Sequence, residues 1–82
     1  MAKKGVLQTL KQGGREQRRV RLRYTRLDGK TVTRTVDPYE IRAGNVFAVC
    51  RTHGRIHEFR LAGIQKATLL KTGYRPKWPV QL

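Results

Sequence analysis

The sequence predicts a mostly β domain, a short N-terminal helix followed by five antiparallel strands bent into a small barrel. Three observations lead there. Past residue 18 the apolar period changes from helical spacing to alternation, with Val20, Leu22 and Tyr24 interleaved with Arg19, Arg21 and Arg23. Turn residues recur between short β-rich runs, at Asp28-Gly29, Gly44 and His53-Gly54. The chain has 82 residues, room for one domain. A domain so short buries only about 60–65 % of its unfolded surface, so its core must be tight.

Residues 6–12, VLQTLKQ, place Val6, Leu7 and Leu10 at helical spacing over about two turns, and Gly13-Gly14 is expected to stop the helix. The first strand follows from Arg19. A two-residue loop at Asp28-Gly29 would set its apolar face against threonines. A three-residue loop, Leu27-Asp28-Gly29, instead pairs Tyr24 with Val32, Leu22 with Arg34 and Val20 with Val36. Glycine in third place suits the left-handed position of the common three-residue hairpin, so pattern and turn chemistry select this register.

Residues 37–45, DPYEIRAGN, read as a loop, because Pro38 lacks a ladder donor and Gly44 supplies a turn. VFAVCRT and RIHEFRL read as the next two strands. A turn at His53-Gly54 pairs Cys50 with His57, Ala48 with Phe59 and Val46 with Leu61. IQKATLLK after Gly63 is the fifth strand, and the tail from residue 73 to 82 is extended. The expected layout is a single domain over residues 1–82, with the helix at 6–12 and the barrel at 19–72. Five such strands in about 80 residues suggest a barrel of SH3 or Sm type. Its exposed edges leave room for a homodimer.

Charge narrows the function. Nineteen Lys and Arg oppose five Asp and Glu, a formal net charge of +14, and twelve of the nineteen are arginine. Arginine grips phosphate with a planar fork and stacks on bases, so a nucleic-acid or nucleotide-like partner is favoured. Cys50 stands alone, which excludes an internal disulfide and a cysteine-based metal cluster. The N-terminal apolar run is too short for a signal peptide and no segment reaches membrane-spanning length, so a cytoplasmic chain is expected. Five scattered acids, with no Gly-rich phosphate loop and no Ser-His-Asp grouping, leave nothing to serve as a nucleophile with an oriented base. The expectation is a binding module, not an enzyme, with no cofactor.

Four stretches in order, VRLRYTRLDGK, RTVDP, GNVFAVC and HEFRLAGI, give a family likeness. The chain resembles the WYL domain of bacterial transcription regulators. That family's pattern is a helix, an aromatic-ended strand with a D-G turn, R-x-V-x-P, G-x-W-Y-L and R-x-F-R-L-D-R-I. Arg34, Val36 and Pro38 match the second element, and the likeness covers most of residues 6–72. The eponymous triplet reads Val46-Phe47-Ala48, His57 replaces the first arginine of R-x-F-R, and Ala62-Gly63 replaces the late D-R. The resemblance implies an Sm-like fold and a role in sensing or binding nucleic acid or a nucleotide-like ligand. Such domains usually sit beside a helix-turn-helix, and the one short helix here cannot supply a recognition pair. A free-standing module and a fragment of a longer regulator are both consistent with the sequence.

Candidate binding residues follow. Arg34 lies in the apolar register, where a buried guanidinium needs a partner. Either it ion-pairs with Asp37 or Glu40, or it contacts an anionic ligand, as the matching family arginine implies. His57 shares that face and is either a ligand contact or a satisfied core residue. Tyr24 ends the first strand on the same face. A Cys50-His53-His57 metal site is disfavoured, because His53 points along a turn. Arg19, Arg21, Arg23, Arg51 and Arg60 fall on solvent-facing positions with Phe47 between the last two, as in a strip that tracks phosphates while an aromatic stacks a base. The other role open to Phe47 is packing under the helix. Tyr74, Arg75, Lys77 and Trp78 interleave aromatics with cations, and Trp78 is expected to plug a barrel end. The leading reading is a module for single-stranded nucleic acid or a nucleotide-like anion in transcriptional regulation. A structural RNA partner and a small-molecule nucleotide sensor are the alternatives.

Overall fold

The first hairpin turns on the three-residue loop that the pattern requires. The computed structural model describes residues 2–51, 53–77 and 79–81, with side chains from residue 5 onward. Strand β1 (Arg18–Thr25) leads into β2 (Thr31–Arg42). Between them the Arg26 N–H donates to the Lys30 carbonyl at 2.8 Å and the Gly29 N–H returns to Arg26 at 2.9 Å. Gly29 takes φ +88°, the left-handed region where a side chain would be strained. Tyr24 faces Val32, Leu22 faces Arg34 and Val20 faces Val36, as predicted.

Strand β2 runs further than predicted. Residues 37–42 of the expected loop continue it, and Pro38 pairs with Ala48 of β3 (Asn45–Cys50). The register shifts between Pro38 and Glu40, so Tyr39 is the extra residue of a bulge. That irregularity is what lets a donor-less proline sit inside a ladder. A tight turn at Ala43 and Gly44, both at positive φ, then leads into β3.

The hairpin of β3 with β4 (Arg55–Arg60) corrects a second expectation. Its loop has four residues, 51–54, closed by the Gly54 N–H on the Cys50 carbonyl at 2.7 Å. Ala48 therefore faces His57 and Val46 faces Phe59, two residues from the predicted pairing. A two-residue slip preserves the faces, so His57 and Phe59 remain on the inner side.

Helix α1 (Ala2–Glu16) does not stop at Gly13-Gly14. A Cβ on Gly13 would lie 2.7 Å from Val20 Cγ2 and 3.0 Å from the Arg18 carbonyl. This glycine thus serves the close approach of helix to strand. The helix ends at Gln17, which takes φ +54° and whose carbonyl accepts the Tyr74 N–H at 2.9 Å.

A 3-10 turn, Leu61–Gly63, connects β4 to β5 (Ile64–Gly73), and the sheet order is β4-β3-β2-β1-β5. The predicted five antiparallel strands are present in one sheet. The predicted closure is not: among the described residues β4 and β5 remain its two edges. Helix α1 packs on β5, β1 and β2, on the inner side of the sheet. Val6 and Leu10 meet Val20, Leu22, Val36, Val46 and Phe59 there.

A second apolar cluster lies apart from that core, formed by Tyr39, Val49 and Tyr74 with Val80 against it. The tail is strapped down to make it. The Tyr74 hydroxyl donates to the Pro38 carbonyl, the Lys77 N–H to the Tyr39 hydroxyl at 2.8 Å, and the Gln81 N–H to the Tyr39 carbonyl at 2.7 Å. Tyr74 is buried, so it does not offer the stacking surface considered for it. Burial, with Tyr39 and Asp37 adding to it, pushes its phenol well above the ordinary value. The plug expected of Trp78 lies outside the described residues.

Candidate anion-binding cleft and basic outer face

The inner face of the sheet opens beyond the helix into a cleft of about 330 Å³. Its floor is aromatic. The Tyr24 ring meets Phe59 edge-on, with centroids 5.1 Å apart and planes at 86°, and Phe59 is buried. His57 lies 6.2 Å beyond Phe59 at a 32° tilt, and His53 is 4.9 Å from His57. Val32, Arg26 and Arg34 line the wall, with Glu58 at its border.

Arg34 is half-buried at this wall, where the Leu22 register places it. Its Nη1 donates to the Thr33 carbonyl at 3.1 Å. Among the described residues it makes no ion pair, and the acids considered as partners are engaged elsewhere. Asp37 accepts from Arg19 Nε at 3.0 Å and Arg51 Nη1 at 3.3 Å, while Glu40 holds Arg42 at 2.7 Å. Alternation explains this, because Asp37 points to the opposite face from Arg34.

His57 carries an imidazole Nε2 that is buried without a hydrogen-bond partner. Burial lowers its pKa below the ordinary 6.5, and the neighbouring charges of His53, Arg55 and Arg34 lower it further. A ring nitrogen and a guanidinium, neither with a hydrogen-bonding acid or base partner among the described residues, thus share one aromatic-floored cleft. Such a site offers stacking for a planar ring and donors for an anion.

The depressed pKa has a consequence for stability. The unfolded chain takes up the His57 proton before the folded one does. The contribution is therefore complete above about pH 6.5 and is lost as pH falls toward and through the lower folded value. Wild type is expected to lose melting temperature between pH 7.5 and 5 more steeply than His57→Gln. Parallel melting curves for the two would contradict this.

Elsewhere the predicted set divides. Tyr24, Arg34 and His57 come together in the cleft. Arg21 and Arg23 lie exposed along the outer face of β1, in a groove with Lys66 and Thr68 of β5. Phe47 is also outward, so it does not pack under the helix, whose Val6 and Leu10 lie in the inner core. The Arg42 guanidinium sits 5.5 Å from its ring centroid. Arg60 is exposed at the end of β4, with its backbone N–H 3.4 Å from the Tyr24 hydroxyl. Of the expected arginine strip, Arg19 and Arg51 converge on Asp37.

Sequence reasoning missed Arg26, His53 and Glu58 as cleft residues; for His53 and Glu58 the reason is the four-residue loop at 51–54, which shifts the β3–β4 pairing by two. It also missed Asp37, 4 % exposed, as a hub. A signal existed, since an acid beside a buried valine in so basic a chain implies a cationic partner. Cys50 Sγ lies 3.5 Å from His53 Nδ1, and no three metal-ligating side chains cluster among the described residues. No helix among them is long and apolar enough to cross a membrane.

Fold and cleft together define a small, strongly basic, open β-sheet domain with an aromatic cleft lined by histidine and arginine. The WYL domain family model matches residues 5–69, and the chain belongs to that family. Among solved structures it is similar to proteasome accessory factor B/C (PafBC) of Arthrobacter aurescens. The identity is 20%, with a TM-score of 0.77 over 89% of this chain, which spans 13% of the length of the PafBC chain. Comparison with curated proteins produced no match.

Proposed function

We propose that this chain is the ligand-recognising module of a transcription regulator, and that its inner cleft takes single-stranded nucleic acid or a nucleotide-like anion. The observation that carries the reading is the pairing of Arg34, without an ion-pair partner among the described residues, with the unsatisfied His57 Nε2 over the Tyr24–Phe59 floor. A base would stack on the aromatic edge of the cleft while Arg34 and Arg26 meet its phosphate. Membership of the WYL family supports the regulatory role, and the arginine-rich outer face supports a polyanionic ligand. The module works by binding and needs no catalytic group.

Salt dependence tests the reading and separates its two forms. Affinity for a short single strand is expected to fall with salt at a log–log slope of about −2 or steeper, as for three or more neutralised phosphates. A flat slope together with a melting temperature raised by mononucleotides assigns the cleft to a small nucleotide ligand instead. No strand binding and no mononucleotide stabilisation would overturn both forms.

A further inference from the structure

The outer face carries a second cationic centre that the cleft reading does not use. Asp37 is buried at its base, with Oδ1 bonded to Arg19 and Oδ2 to Arg51. Around that single carboxylate stand four cations, Arg19, Arg51, Arg75 and Lys77, lining a notch of about 100 Å³. Its volume suits one tetrahedral oxyanion and is too small for a base with its sugar.

The arrangement is built, not a chance of surface charge. Each of Arg19 and Arg51 gives a single hydrogen bond to Asp37 among the described contacts, and a guanidinium has five N–H donors. Asp37 therefore fixes two guanidiniums side by side and leaves most of their donors unspent. Arg75 and Lys77 arrive on the tail, which is pinned by the Tyr74 hydroxyl on the Pro38 carbonyl and by the Lys77 N–H on Tyr39. Neither Arg75 nor Lys77 makes an ion pair among the described residues. Gathering four cations around one acid in a chain of net charge +14 costs self-repulsion that a bound anion would relieve.

We infer that this notch is a phosphate-binding site, separate from the inner cleft and on the other face of the sheet. The 51–54 loop lies between the two, contributing Arg51 and Gly54 to the notch and His53 to the cleft. The phosphate comes either from the backbone of a strand passing around that loop or from a free phosphate group.

The test is NMR on the full chain, following the Arg Nε–H signals and the backbone amides of Gly54 and Lys77 during titration with inorganic phosphate. Saturable shifts at Arg19, Arg51 and Gly54 are expected, absent with chloride at matched ionic strength. The double variant Arg75→Gln/Lys77→Gln leaves the Arg19–Asp37–Arg51 contacts in place and so should fold as wild type. It is expected to bind phosphate about tenfold or more weakly, the loss of charge-assisted bonds. A hexathymidylate strand distinguishes the source. Shifts of the same signals by the strand, with a salt slope shallower in the double variant, identify a backbone phosphate. Shifts by inorganic phosphate alone identify a free one. Shifts that track ionic strength only, or a double variant that binds phosphate as wild type does, would overturn the site. Signals of Tyr24 and His57 report the inner cleft independently, so the two sites succeed or fail separately.

Discussion

Arg34→Ala is expected to weaken binding of a short single strand or nucleotide by about 1.5–3 kcal/mol, the range for a charge-assisted hydrogen bond. The free protein should scarcely notice. Arg34 makes one hydrogen bond, to a neighbouring carbonyl, and no ion pair among the described residues, so its truncation leaves no acid stranded. Stability is expected to change by less than about 0.5 kcal/mol, as for a substitution that opens no core cavity and breaks no buried network. A second readout is built in. The Arg34 charge helps to depress His57, so the His57 pKa should rise toward its ordinary value in the variant. Arg21→Ala, on the outer face, is the comparison and should weaken strand binding only through the salt-dependent component. A clear loss of melting temperature in Arg34→Ala with affinity intact would make Arg34 structural and remove it from the cleft chemistry.

Phe59→Ala should produce the largest loss of stability. Phe59 is 6 % exposed, packs in the inner core and carries the edge contact with Tyr24. Removing a buried ring typically costs about 3–5 kcal/mol, transfer and cavity together. In a domain of this size that lowers the melting temperature by at least about 12 °C. Function is read on Phe59→Leu, which nearly conserves volume and should cost less than about 1.5 kcal/mol of stability. It still removes the aromatic floor. If a base stacks there, binding should weaken by about 1–3 kcal/mol, with the salt slope unchanged because no charge is lost. Undiminished affinity in folded Phe59→Leu would mean that the ligand does not use the floor.

Most of the fold was legible because it rests on local patterns. The β1–β2 register follows from alternation and from a glycine that must take positive φ, and both are properties of adjacent residues. Two of the errors are alike. Gly13-Gly14 resemble a helix stop, yet the helix continues through them, and Gly13 serves there because a Cβ would meet Val20 and the Arg18 carbonyl. Asp37-Pro38 resemble a loop, yet a bulge at Tyr39 keeps them in the ladder. In each case packing between elements overrode a sound local preference.

The site divides along the same line. By itself the sequence determined the charge, the family pattern, the five strands and the face on which Arg34, Tyr24 and His57 stand, because side-chain alternation depends only on parity along a strand. How each cation is presented to a ligand was decided by the tertiary structure alone. Asp37 holds Arg19 and Arg51, Glu40 holds Arg42, and Arg34 has no acid partner among the described residues. Whether an arginine finds an acid depends on which strands lie side by side and where the tail is strapped. Composition and spacing carry neither, since both arise from closing loops and burying apolar surface across the whole chain.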